Sequence, residues 1–308
     1  MPRPFSLATL GLIALATTIQ AADRTTLTFS DGRIFPESLT STKDGTVYVG
    51  SLGQDSVYRA GRDAAVATVW VKPKTAGLQT VLGVLADEKA GVLWVCASAS
   101  GGRGGAPVVG ETALKAFNLK DASLKASYPF PGNGLCNDVA VARDGTVYAT
   151  DTTQARILRL KKGATALDVW SADPKLLATA DGIDLLADGA VIVNSVGQST
   201  LMRIPVQKDG SAGTIEMLEP SQKLQGPDGM RTVGTRTLLL VEGGRLDEVT
   251  ITGTKAEVKV LKEGMTGATA VTLTKDTAYV SIARLNLRNS QEDPGPFQIV
   301  SVPYKAPR

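Results

Sequence analysis

Internal repetition is the feature that most restricts what this chain can become. Asp44-Gly45-Thr46-Val47-Tyr48-Val49 returns as Asp144-Gly145-Thr146-Val147-Tyr148-Ala149, and more loosely as Asp188-Gly189-Ala190-Val191-Ile192-Val193. Gly91-Val92-Leu93-Trp94-Val95 and Lys275-Asp276-Thr277-Ala278-Tyr279-Val280 are further variants. Each copy follows a small apolar run such as Val139-Ala140-Val141. Each precedes a polar turn and another apolar run such as Arg156-Ile157-Leu158-Arg159-Leu160. Asp-Gly supplies the positive φ of a tight hairpin, and the β-branched runs suit pleated, half-buried strands. The Trp residues, Trp70, Trp94 and Trp170, fall in these strand patterns as core candidates. No segment keeps a helical period over several turns, although Pro174 to Ala180 allows one short turn.

Four-stranded units recurring at roughly 40 to 50 residues are the signature of a β-propeller. Six fit, at about 31–74, 77–131, 133–175, 179–220, 225–264 and 266–305. The expectation is therefore an all-β, six-bladed β-propeller with four-stranded blades, one domain over 22–308. The leftover strand Thr25 to Phe29 would complete the last blade and close the ring, which protects sheet edges. The second unit is the longest, because of a Gly-rich loop from Ser98 to Gly110 that carries Arg103.

Ahead of the repeats, Arg3 precedes an apolar run from Leu7 to Ile19 that ends in Ala21-Ala22. Residues 1–21 read as a secretory signal peptide, too short an apolar run for a membrane span. The mature protein is expected to be periplasmic or secreted, with no membrane association after cleavage. Export permits a disulfide between Cys96 and Cys136. A buried pair of free thiols is the plainer reading, and spacing does not decide between them. A formal net charge of +3, from 33 Lys and Arg interspersed with 30 Asp and Glu, gives no support to a nucleic-acid partner.

The chain contains no histidine. That removes Ser-His-Asp triads, His general bases and His-ligated metals, and favours oxygen ligands for hard cations. Aligned on the hairpins, the residue seven places before each turn is Glu37, Asn137, Asp181 or Asp228 in units one, three, four and five. Units two and six carry Leu82 or Gly83 and Thr269 there. In a propeller these positions form a ring around the central channel. Read singly, Asp181-Gly182 and Asp228-Gly229 are ordinary turn residues. Four oxygen-bearing side chains in phase instead form a site, because crowded carboxylates call for a cation. Asp138, next along the strand from Asn137, is expected to point away from the ring by strand alternation.

Pro36-Glu37-Ser38, Cys136-Asn137-Asp138, Asp181-Gly182-Ile183 and Pro227-Asp228-Gly229-Met230 resemble the motifs of the senescence marker protein, gluconolactonase and regucalcin family of six-bladed propellers. The resemblance covers four blades in order. It implies that Glu37, Asp181 and Asp228 are ligands of one divalent cation and that Asn137 binds substrate or completes the coordination. The cation implied is calcium first, with manganese, magnesium or zinc as alternatives. The implied activity is hydrolysis of a lactone-type ester, a gluconolactonase-like reaction on a small molecule, with the metal polarising the carbonyl and Asp228 as general base. Two departures stand out. Asp181 replaces the family's usual Asn, and Leu135 replaces an Arg common in sugar-lactone hydrolases, a role that Arg103 could take as a substrate-binding residue. A non-catalytic ligand- or protein-binding propeller and a phosphotriester hydrolase on the same metal site are the other readings. Propeller lyases that need a catalytic His are excluded. Oligomeric state is left open.

Overall fold

The computed structural model describes Met1, residues 26–100 and 109–307. Residues 2–21 of the segment assigned to a signal peptide, and Arg103, lie outside the described residues. Among the described residues the architecture is all-β, with two single-turn 3-10 segments at Thr75–Gly77 and Leu285–Leu287. None of their helices is long and apolar enough to cross a membrane.

The strands fall into six antiparallel groups, each beginning with an inner strand. The inner strands are Pro36–Ser41, Thr80–Asp87, Cys136–Val141, Ala180–Leu185, Pro227–Thr232 and Ala268–Thr274. Each packs beside the inner strand of the next group, and the sixth packs beside the first. Thr26–Phe29 pairs antiparallel with Gln298–Pro303 of the sixth group and parallel with Val66–Val71 of the first. That strand fuses the first and last groups into one eight-stranded sheet.

The hairpins form as their sequence demands. Gly45, Gly145 and Gly189 take φ of 89°, 93° and 88°. Asp44, Asp144 and Asp188 each accept a hydrogen bond from the backbone N–H two residues on, at 2.8–2.9 Å. Pro174 to Thr179 forms turns, not a helix, with one i to i−4 bond from the Leu177 N–H to the Asp173 carbonyl, and Ala180 opens the next strand.

The apolar core is divided into six clusters, one between each pair of neighbouring sheets. Trp94, Leu114, Val139 and Leu158 join the second sheet to the third, and Trp170, Ile183 and Met202 join the third to the fourth. Sheets covered on both faces explain why the second strands are continuous runs of buried residues, as in Val47–Ser51 and Val191–Ser195. Cys96, on the second strand of one sheet, is bonded to Cys136, at the start of the next inner strand, across a separation of 40 residues. The plainer reading of two free thiols is thereby corrected. The two side chains are brought together by the packing of adjacent sheets, which spacing along the chain does not reveal.

Candidate functional site

Every inner strand is irregular at the ring position. The pairing register shifts between Pro36 and Ser38, Val81 and Val84, Cys136 and Val139, Ala180 and Ile183, Pro227 and Met230, and Ala268 and Ala270. Such bulges re-aim side chains and break simple alternation. Their effect is to turn Glu37, Asn137, Asp138, Asp181, Asp228 and Thr269 toward one small cavity of about 10 Å³, room for a single ion or water. The expectation that Asp138 points away from the ring fails for this reason, since both Asn137 and Asp138 line the cavity.

Glycine makes this close approach feasible. A Cβ at Gly83 would lie 2.4 Å from the Asn137 carbonyl oxygen, and one at Gly182 would lie 2.4 Å from that of Asp228. Neither residue has positive φ. The turn reading of Asp181-Gly182 is therefore excluded: this glycine lies within a strand and admits the neighbouring backbone.

Four of the six second strands prop the next inner strand with a buried polar side chain. Ser98 Oγ donates to the Cys136 carbonyl at 3.1 Å, and Thr150 Oγ1 to that of Asp181 at 2.7 Å. Asn194 Nδ2 donates to the Asp228 carbonyl at 2.5 Å, and Ser281 Oγ to that of Pro36. Thr269 Oγ1 donates to the Glu37 carbonyl at 2.6 Å. These props were missed in the sequence. Their signal is a polar residue amid an apolar strand, as in Val191-Ile192-Val193-Asn194-Ser195.

The carboxylates of Glu37, Asp181 and Asp228 come together, with one oxygen of each within 4.8 Å of the others. Asn137 joins them: its Nδ2 donates to Asp181 Oδ2 at 3.0 Å and to Thr152 Oγ1 at 3.0 Å. Glu37 is 6% exposed, and its Oε2 is buried with no hydrogen-bond partner. Burial, followed by the charges of Asp181 and Asp138, pushes the Glu37 carboxyl well above the usual range. Burial and Asp138 push Asp181 up to about 7. Asp228 is raised by burial and by Asp181 and Glu37, against a hydrogen bond from the Gly229 N–H.

A further pair, also missed in the sequence, forms part of the cavity wall. Arg231 Nη1 and Nη2 reach Asp138 Oδ2 and Oδ1 at 2.9 and 3.2 Å. Arg231 also donates to the Met230 and Val84 carbonyls. A charged side chain within an otherwise core-facing inner strand was the available clue. Arg231, the one cation among the described lining residues, is ion-paired with Asp138, and Glu37, Asp181 and Asp228 are left without an ion pair of their own among the described residues. Three crowded carboxylates, one of them with an orphaned buried oxygen, are a donor set into which a metal cation would fit.

No protein-family model matches the chain. No curated protein matches it. Solved structures do. A candidate gluconolactonase from a structural-genomics programme covers 92% of this chain and 94% of its own, at 14% identity and a TM-score of 0.67. A gluconolactonase from Xanthomonas campestris covers 90% and 89%, at 15% identity and a TM-score of 0.63. A virginiamycin B lyase from Staphylococcus aureus, made catalytically inactive by replacing a histidine, covers 90% and 98%, at 11% identity and a TM-score of 0.57. At these identities the likeness is one of fold: the chain is built as a β-propeller of the kind found in gluconolactonases and in streptogramin-type lyases.

Proposed function

We propose that the protein is a divalent-cation-dependent hydrolase of lactone-type esters. Glu37, Asp181 and Asp228 hold the ion, and Asn137 orients the substrate. The observation that carries this reading is the buried convergence of three carboxylates within 4.8 Å, one with an unpartnered oxygen. Similarity to structures of gluconolactonases supports it at the level of fold. The absence of histidine separates the chain from the lyase that loses activity with its histidine.

When bound, the cation supplies Lewis-acid polarisation of a carbonyl and stabilises developing negative charge. Calcium is the first choice for an all-oxygen set, with manganese, magnesium and zinc as alternatives. The residues of the chain do the rest. Asp228 is less buried than Glu37 and Asp181 and is the carboxylate placed to accept a proton from water. Asn137 directs its amide N–H groups to Asp181 and Thr152, and among the described residues no hydrogen bond reaches its Oδ1, which is left for the substrate or the ion. The cavity is too small for a lactone, so the substrate sits above it, on the side of the loop around Leu135 that leads into the third inner strand.

Export to the periplasm or beyond belongs to the same reading and is supported by the Cys96–Cys136 bond. The test is metal content of the mature protein followed by a screen of aldonolactones, aromatic lactones and phosphotriesters. Asp228→Ala is expected to abolish turnover, and Glu37→Gln to lower cation affinity at least tenfold. Bound cation without turnover on any ester would favour the non-catalytic binding propeller, a reading supported by the tightness of the cavity. Turnover of phosphotriesters alone would move the assignment to that chemistry.

A further inference from the structure

Four carboxylates line the central cavity, yet only three are left uncompensated. The fourth, Asp138, is 5% exposed and is gripped by both terminal nitrogens of Arg231, itself 9% exposed. The two residues come from non-adjacent sheets, the third and the fifth, so the pair spans the channel. The Val84 carbonyl of the second sheet and the Met230 carbonyl take further hydrogen bonds from the same guanidinium. The Ile183 N–H of the fourth sheet approaches Asp138 Oδ2 at 3.4 Å. The Arg231–Asp138 pair thus ties together four of the six inner strands.

A buried ion pair of this kind is poor evidence for a stabilising role, because apolar residues of similar size commonly do as well. Its electrical effect is specific, however. Without Arg231 all four carboxylates around about 10 Å³ of space would be uncompensated. We propose that the Arg231 guanidinium serves as a built-in cation, holding Asp138 out of the ligand set so that the site takes a single divalent ion on Glu37, Asp181 and Asp228. This rests on the cation-binding reading of the site. Arg231 is a positioning residue, acting on the ion through Asp138 and through its own charge.

The test is calorimetric titration of chelator-stripped mature protein with calcium, and with manganese as a second probe, alongside thermal melts with and without each ion. The wild type is expected to bind one ion. Arg231→Met, uncharged and of similar length, is expected to bind a second ion or to hold the first at least tenfold more tightly. Its melting point should fall without cation and recover on addition by more than the wild-type shift. The double variant Arg231→Met with Asp138→Asn removes charge of both signs and is expected to return to one ion, with affinity within about threefold of wild type. A single ion bound by Arg231→Met at wild-type affinity overturns the proposal. So does a tenfold or greater loss of affinity in the double variant, which would make Asp138 a ligand. Should Arg231→Met not fold, the double variant alone decides. A wild type that binds no ion removes the cation reading itself, an outcome distinct from either.

Discussion

Asp247 offers a prediction whose size can be worked from the structure. Its carboxyl is fully buried, accepts a hydrogen bond from Arg245 Nε at 3.1 Å, and has one oxygen with no donor. Glu242, 1% exposed, lies beside it and accepts a hydrogen bond from Arg245 as well. Two carboxyls therefore share one guanidinium. Burial first, and the hydrogen bond with Glu242 second, push Asp247 up to about 7 from an ordinary value of 3.8, with Arg245 pulling the other way. A folded-state value above the unfolded one means that the folded protein binds the extra proton. The associated stability is complete below about pH 4 and is lost as pH rises toward 7. A gap of about 3 units at about 1.4 kcal/mol each bounds the loss at about 4 kcal/mol.

Asn is the natural probe, because its amide copies the shape and hydrogen bonding of the protonated acid: Nδ2 toward Glu242, Oδ1 toward Arg245. Asp247→Asn is expected to be nearly neutral at pH 4 and more stable than wild type at pH 8, by up to about 4 kcal/mol. Urea unfolding of both proteins at half-unit steps from pH 4 to 8 measures this. The ring carboxylates are common to both proteins, so their titration cancels in the difference. A wild-type-minus-variant difference that stays constant across the range would refute the argument.

Other expectations are simpler. Reducing the Cys96–Cys136 bond, which closes a 40-residue separation, should lower stability by up to about 4 kcal/mol in chemical denaturation. The same treatment should weaken cation binding in calorimetry, since Cys136 adjoins Asn137. Gly182→Ala places a Cβ 2.4 Å from the Asp228 carbonyl oxygen and should cost about 3 kcal/mol, whereas Gly61→Ala, with no atom within 4 Å of its Cβ, should stay within about 0.5 kcal/mol on the same assay.

The hairpins were legible because an Asp-Gly turn is a local device: side chain, φ and following N–H lie within three residues. The ring of Glu37, Asn137, Asp181 and Asp228 was legible because a repeat converts equal spacing along the chain into equal height on the axis. What stayed hidden depends on contacts between repeats. Asp138 was turned inward by a bulge that its own sequence does not announce. Arg231 acquires its meaning only from Asp138, 93 residues away. Thr150 and Asn194 look like single polar residues in apolar strands until the neighbouring inner strand supplies their acceptors. The pairing of Cys96 with Cys136 likewise follows from which sheets abut.

Among the described residues each apolar cluster lies between two sheets, and none fills the axis. Most of the work of holding the molecule together is thus done away from the residues that meet at the centre. Those residues can change their chemistry while the wheel around them keeps its rim and spokes. A designer could therefore rewrite the hub of this protein, one carboxylate or amide at a time, and expect the frame to tolerate many ligand sets that the present one does not represent.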